Sequence, residues 1–326
     1  MGWLDNALAN LPSQIEEIRP VPTPVVGRTL LVDGDYLAYY AAGNDDTDAG
    51  RARQNAREKL QAFKTFTGAT QVVIHLTAST SNKGQRFAVA RAKLYQGQRV
   101  GNRKPKNWIH LRQWLETYSG NEFKTKLWYN READDGMAYH AAVLGDDLAV
   151  IATADKDMRM FAGLHVDWHD YHITHVGPKA FKVVDQIGGK TFGHAWFWQQ
   201  MLQGDTADNI PGLPFYVDDR GRNKRVGEKT AEKLLARAHN NEEAYQIVSD
   251  LYAGYYDHAW AEEFAEQAIL LWMREDQRAD LRDFLRVCPQ DEELLAGVQV
   301  VEDRLESQRL ELERIEHGTG RTTVHT

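Results

Sequence analysis

A single cysteine, Cys288, stands in 326 residues, so no intrachain disulfide and no cysteine-based zinc site can form, and a reducing compartment is expected. No stretch approaches the roughly 18 consecutive apolar residues of a membrane span. The start of the chain lacks the basic cluster and apolar core of an export signal, and Asn6 stands where a myristoylation signal places Ser or Thr. A cytoplasmic protein without a membrane partner is the expectation. Also missing is a Gly-x-Ser-x-Gly nucleophile elbow, and Gly188-Gly189-Lys190-Thr191 lacks the first glycine of a phosphate-binding loop because Val184 takes its place.

The most informative absence is local. From Lys59 to Leu115 there is no Asp or Glu, while Lys59, Lys64, Lys83, Arg86, Arg91, Lys93, Arg99, Arg103, Lys104, Lys106 and Arg112 all carry positive charge. The net charge of −8 argues against a polyanionic partner, but averages conceal such a segment, which sets up a positive field of its own. Either it is a solvated surface or it meets an anion. With 42% hydrophobic and 26% charged residues the chain is globular, with one large or two modest domains.

Residues 1–28 read as an appendage: a short amphipathic helix with Trp3, Leu4, Leu8 and Leu11, broken by Pro20, Pro22 and Pro24. Short apolar runs at Thr29 to Val32, Val72 to Leu76 and Leu148 to Ala152 read as buried strands, separated by helical stretches around Tyr36 to Ala42, Asn55 to Phe66 and Asp134 to Leu144. Alternating strands and helices predict a parallel sheet with helices on both faces over 29–193. A helical region follows over 194–290, with helices at Trp196 to Leu202, Lys229 to Ala238 and Glu242 to Tyr256. Residues 291–326, rich in Glu, Arg and Leu, read as a closing helix or a partner-binding tail.

In an open parallel sheet, ligands collect outside the carboxyl ends of the strands. Asp33 ends the first strand, and Asp155 and Asp157 lie just past the third. Glu132, Asp134 and Asp135 precede a helix, where spacing i, i+3 lets Glu132 and Asp135 lean the same way. Asp205 and Asp208 open the helical region. Each group alone has an ordinary explanation as a turn or a cap. Together on one rim they would repel one another and raise their own pKa values unless cations neutralise them. All-oxygen donors suit Mg²⁺ or Mn²⁺, and two such ions about 4 Å apart are suited to in-line displacement at a phosphodiester. His165, His169, His172 and His175 are not expected to bind zinc, because the segment Leu164 to His169 alternates like an edge strand with a polar face.

The ordered series Val32-Asp33-Gly34-Asp35, Glu132-Ala133-Asp134-Asp135, Thr153-Ala154-Asp155-Lys156-Asp157 and Gly204-Asp205-Thr206-Ala207-Asp208-Asn209-Ile210-Pro211-Gly212 resembles the flap endonuclease and 5′–3′ exonuclease family, most closely its phage members, over about residues 29–240. The resemblance implies a PIN-like α/β nuclease domain followed by a helix-three-turn-helix domain that grips duplex DNA. It implies that Asp33, Glu132, Asp134 and Asp155 hold one Mg²⁺ or Mn²⁺, that Asp157, Asp205 and Asp208 surround a second, and that Asp135 stands beside them. The basic stretch at about 80–115 corresponds to an arch over the single-stranded 5′ end. Arg86, Lys93 and Lys106 there, with Gly212, Gly227, Lys229, Thr230 and Lys233 in the helical region, are the expected DNA contacts. The glycine turn before Lys229 has independent support, since a helix start with free N–H groups and nearby cations receives phosphate without reading sequence, in a manner weakened by salt. Implied substrates are DNA with a free 5′ end, a flap, a nick or an RNA primer, and replication proteins are implied partners of the tail.

Three features depart from that family. The loop after the second strand, Leu76 to Lys83, holds no acid, leaving Asn82 or a hydroxyl to replace it. The arch lacks the family's Tyr-Lys-x-Asn-Arg run, so the cation that meets the scissile phosphate is one of Lys83, Arg99, Arg103 and Lys104, with Lys83 preferred. Leu213 to Arg225 are inserted in the glycine signature of the helical region, which argues against the monovalent-cation site that the resemblance adds there. Two rival readings are a DNA-junction binder with weakened chemistry and a PIN-type ribonuclease.

Overall fold

The computed structural model describes residues 22–319 apart from Val100, Asn102 and Asp219, so the expected N-terminal helix falls outside the described residues. Strand β1 (Val25–Asp33) lies at the centre of a six-stranded sheet of order β3-β2-β1-β4-β5-β6. Its partners are β2 (Ala69–Thr77) on one side and β4 (Ala149–Ala152) on the other, both parallel, with Val32 level with Ile74 and with Ala152. The chain runs outward through β2 and β3 (Lys124–Trp128), then crosses to β4 on the opposite side. This reversal beside β1 opens a crevice at the carboxyl ends of β1 and β4. Strand β5 (Gly163–Val166) continues parallel, and β6 (Ile173–Val176) closes the edge antiparallel.

Alternation along the strands sorts the two faces. Leu30, Val32, Val72, Ile74, Leu76, Val150 and Ala152 share a core with α1 (Gly34–Ala41), α2 (Ala49–Thr67) and α4 (Trp108–Glu116), while α3 (Arg86–Val89) lies toward the other face. Gly34 opens α1 against β2, where an added Cβ would lie 2.5 Å from both Ile74 and Leu76. Helix α2 starts on the Asp48 side chain, which accepts from Arg51 N at 2.9 Å, and stops at Gly68 in the left-handed region at φ 66.

Leu31, Val73, Ala149 and Ile151 point to the opposite face. There they join α5 (Ala133–Leu144), α6 (His194–Gln203), α8 (Asn241–Tyr256), α9 (Trp260–Leu271) and the first half of α10 (Glu292–Thr319) in one continuous core. Leu294, Val298, Val301 and Leu305 seat α10 on that core, so the segment begins as a closing helix. Trp272 lies at its centre with 1% exposure, and truncation there to Ala would cost about 3–5 kcal/mol.

Three sequence expectations need correction or extension. The strand around Leu164 is interior, because β6 lies outside it. Strand β3 went unread, since Lys124-Thr125-Lys126-Leu127-Trp128 is a half-exposed edge with little apolar signal. The inserted residues form a hairpin of β9 (Phe215–Val217) and β10 (Asn223–Arg225), which follows the small hairpin of β7 (Val183–Val184) and β8 (Thr191–Phe192). Helix α7 (Glu228–Leu234) comes next. Among the described residues no helix is long and apolar enough to cross a membrane.

Candidate active site

The crevice is a cleft of about 1050 Å³ whose walls carry the acidic groups of the four motifs. Asp33 sits at its floor because β1 ends there. It accepts from Tyr36 N at 3.0 Å and from Thr153 Oγ1 at 3.1 Å, which ties the ends of β1 and β4 together. Burial, followed by the charges of Asp35 and Asp155, outweighs those hydrogen bonds and pushes its carboxyl up to about 7. Asp155 caps the short turn after β4, accepting from Asp157 N at 2.9 Å, and is raised by its depth in the cleft and then by Asp208. Asp134, in the first turn of α5, is pushed well above the carboxylate range by burial and then by Asp33 and Asp155, and its Oδ1 is buried with no hydrogen-bond partner.

A second group lies beside the first. Carboxylate oxygens of Asp157, Asp205 and Asp208 fall within 4.8 Å of one another, and all three residues are buried. Asp157 follows from the turn after β4. The other two follow from α6, whose end at Gly204 leads into a loop closed by paired hydrogen bonds between Asp205 and Ile210, 2.8 and 2.7 Å. Burial, then Asp155 and Asp205, drive the Asp157 carboxyl well up, although Lys156 and Gln200 Nε2 lie 3.3 and 2.5 Å from its Oδ1. Lys156 also reaches Asp205 Oδ1 at 2.6 Å.

These observations fit divalent cations. The donors are all oxygen, burial and then neighbouring carboxylates raise Asp33, Asp134, Asp155 and Asp157, and Asp134 presents an orphaned oxygen. Asp157, Asp205 and Asp208 could hold one ion, and Asp33, Asp134 and Asp155, with Glu132 adjoining, are the residues that would hold another.

Asp135 plays a different part. The fully buried Arg86 guanidinium binds both of its oxygens at 2.7 Å, and Asp135 Oδ2 also accepts from Glu132 N at 3.0 Å. Burial alone would raise this carboxyl, but Arg86, seconded by Arg274, holds it at about 2. Arg86 itself was expected to face DNA. Its guanidinium has no exposure and donates also to the carbonyls of Leu270 and Trp272, so it is structural.

Of the other arch cations, Lys83, Arg99 and Lys104 line the cleft and Arg103 does not. Lys83 Nζ lies 2.8 Å from Gln96 Oε1 and 3.6 Å from Glu132 Oε1. Arg99 pairs with Asp208, and the Lys104 ammonium rests 3.5 Å from the Trp108 ring centroid. Arg103 and Lys106 both bind Asp45 outside the cleft, and Lys93 is exposed. Gly212, another expected DNA contact, is buried: its N–H bonds to Gln267 Oε1 at 3.0 Å and its Cα packs on Gly204 with no room for a Cβ. Gly227 and Lys229 are exposed at the start of α7 and Lys233 is exposed in its last turn, with Thr230 half-buried.

Several cleft residues were missed from sequence. Asp35 bonds to Thr77 N at 3.3 Å and to Arg112 at 2.6 Å, placing an acid at the end of β2 where the following loop has none, while Asn82 instead caps its own turn. The buried Tyr95 hydroxyl lies 2.7 Å from Glu132 Oε2 and 2.9 Å from Asp208 Oδ2, so one phenol bridges the two ligand sets. Nor do the four histidines converge, since His165 bonds to Phe161 O, His172 to Asp185 and His175 to Asp146.

A six-stranded, mostly parallel sheet flanked by helices, with a C-terminal helical region, is the fold of flap endonuclease and 5′–3′ exonuclease structures. No protein-family model and no curated protein matches the sequence. Among solved structures, the bacteriophage T5 5′-exonuclease with divalent zinc ions bound superposes with a TM-score of 0.54 at 13% identity, covering 85% of this chain and 100% of that one. The bacteriophage T5 D15 flap endonuclease, in a complex with DNA and metal ions, gives 0.50 at 13% identity over 85% of this chain and 99% of that one.

Proposed function

We propose that the protein is a divalent-metal-dependent nuclease acting on DNA at 5′ ends and flaps, including RNA primers, in replication. The observation that carries this reading is the pair of adjoining carboxylate sets at the sheet's switch point, with more acids than cations, in a cleft also lined by Lys83 and Arg99. Asp33, Glu132, Asp134 and Asp155 would hold one Mg²⁺ or Mn²⁺ and Asp157, Asp205 and Asp208 another. Bound there, such ions supply Lewis acidity to an attacking water and to the leaving oxygen.

The protein's own part is placement. Gln200 and Lys156 fix the Asp157 carboxylate, Tyr95 sets the spacing of Glu132 and Asp208, and Gln96 holds the Lys83 ammonium where a phosphate oxygen can meet it. Exposed Lys229 and Lys233, with Lys224 and Arg225 on the β9–β10 hairpin, would receive the duplex backbone in the manner of a helix-three-turn-helix element. Replacing Asp155 and Asp157 together by Ala is expected to abolish Mg²⁺-dependent cleavage of a 5′-labelled flap and of a nicked duplex while leaving retardation of both in EDTA intact. Full cleavage by that variant refutes the site; retarded but uncut DNA with the unaltered protein and Mg²⁺ would support a junction binder instead.

A further inference from the structure

A second pocket, about 320 Å³, lies behind Asp155 between β5 and the β7–β8 hairpin, and it meets the cleft through Ala154, Asp155 and Arg159. That volume lies at the small end of ligand pockets, which run from about 300 to 1,000 Å³. Its carboxylates are accounted for. Asp167 pairs with Lys190 at 3.0 Å, Asp185 with His172 at 2.8 Å, and Asp170 accepts from His172 N at 2.8 Å. Asp155 belongs to the metal-ligand set.

Arg159 is the exception. It is half-buried, its guanidinium lies 5.0 Å from the Trp196 ring centroid and 5.9 Å from that of Phe192, and among the described residues outside its own helical turn only its backbone carbonyl is hydrogen-bonded, accepting from Gly193 N at 2.8 Å. Arginine held by rings in a partly dry site, with its donor fork unspent, is suited to a planar or tetrahedral oxyanion. The nearest acids acting on it are Asp157 and Asp155, and once cations neutralise these two the guanidinium is the charged side chain left among the residues shared by pocket and cleft.

We propose that this pocket receives the terminal 5′-phosphate of the nucleic acid, anchored by Arg159. The inference rests on the reading of the cleft as a nuclease site at 5′ ends. The phosphate would lie on the β5 side of Asp155, away from Lys83 and Arg99, so the two cationic contacts would hold successive parts of one strand.

The test compares one duplex carrying a 5′-phosphate with the same duplex carrying a 5′-hydroxyl. Binding is read by fluorescence anisotropy with Ca²⁺ present to neutralise the carboxylates, and cleavage is read separately with Mg²⁺. The unaltered protein is expected to bind the phosphorylated end about tenfold more tightly, the size of one charge-assisted hydrogen-bonded contact. Arg159→Gln should bring that ratio to about one, and Arg159→Lys should retain part of it, with melting temperatures confirming that both variants fold. Equal binding of the two ends by the unaltered protein overturns the proposal, as does an Arg159→Gln variant that weakens both ends alike. If no DNA is cleaved, the nuclease reading fails, yet the binding ratio still decides the fate of the pocket.

Discussion

Replacing Arg86 by Met separates two views of the basic segment. The substitution keeps an apolar stem and removes the guanidinium that binds Asp135 through two contacts of 2.7 Å. Asp135, with no exposure, would be left as an unpaired buried carboxylate, and the carbonyls of Leu270 and Trp272 would lose a donor. Breaking one side of a buried pair costs about 3–5 kcal/mol. The acid gives a separate lower bound. Its folded value of about 2 against an ordinary 3.8 is worth about 2.5 kcal/mol, before counting the burial that would carry it above 3.8 without Arg86. Because the folded value lies below the unfolded one, this stabilisation is present above pH 4 and is lost as the pH falls toward 2. Urea unfolding at pH 7 should therefore show a loss of at least about 3 kcal/mol, narrowing as the pH drops below 4. A second substitution, Asp135→Leu, should restore much of it, because a buried pair replaced whole by apolar groups is often neutral. A loss under about 1 kcal/mol, together with a fall of about one in the salt dependence of DNA binding, would falsify this account and return Arg86 to the DNA surface.

The carboxylate sets predict an unusual linkage of pH, metal and stability. Asp33 is raised from 3.8 to about 7, so its contribution to the metal-free protein is complete below pH 4 and is lost as the pH rises through 7, on the order of 4 kcal/mol. The gain in melting temperature on exchanging EDTA for Mg²⁺ should accordingly grow from pH 5 to pH 8, and a gain independent of pH would count against the ligand set. Gly136→Ala should destabilise by about 1–3 kcal/mol despite the better helix propensity of Ala, because the new Cβ would overlap the Trp128 indole where β3 meets α5. An Ala variant that melts higher than the parent would show that this contact is loose.

Much of the site was legible because strand ends are legible. Asp33 and Asp155 follow short apolar runs, and a parallel sheet brings the ends of such runs together whatever the distance along the chain. The cations were not legible in the same way. A run without acids announces positive charge but cannot say where each charge is spent. Arg91 goes to Glu262, Glu263 and Glu266, and Lys59 goes to the Trp168 carbonyl and the Tyr171 hydroxyl inside an aromatic cluster. Those partners lie 109 to 175 residues away, beyond any local pattern. Gly212 misled for a related reason, since its conformation at φ 63 and its contact with Gly204 explain a glycine without any nucleic acid.

The same long-range pairing explains why the helical region is part of the candidate site rather than an attachment to it. The last turn of α9 and the segment after it supply the Leu270 and Trp272 carbonyls to Arg86, the Arg274 N–H to Asp135 at 2.9 Å, and the Asp276 and Gln277 carbonyls to Arg131 at 2.9 and 2.7 Å. Arg131 and Asp135 flank Glu132 and Asp134 at the start of α5. That helix start carries two of the acids proposed to hold a metal, and mutual repulsion would push them apart in the metal-free chain. Backbone groups from residues 270–277 cannot themselves titrate, and they hold α5 through Arg86, by way of Asp135, and Arg131. The proposed ligand set is thereby held in place by the protein alone, at the cost of making its geometry depend on a turn more than 130 residues downstream.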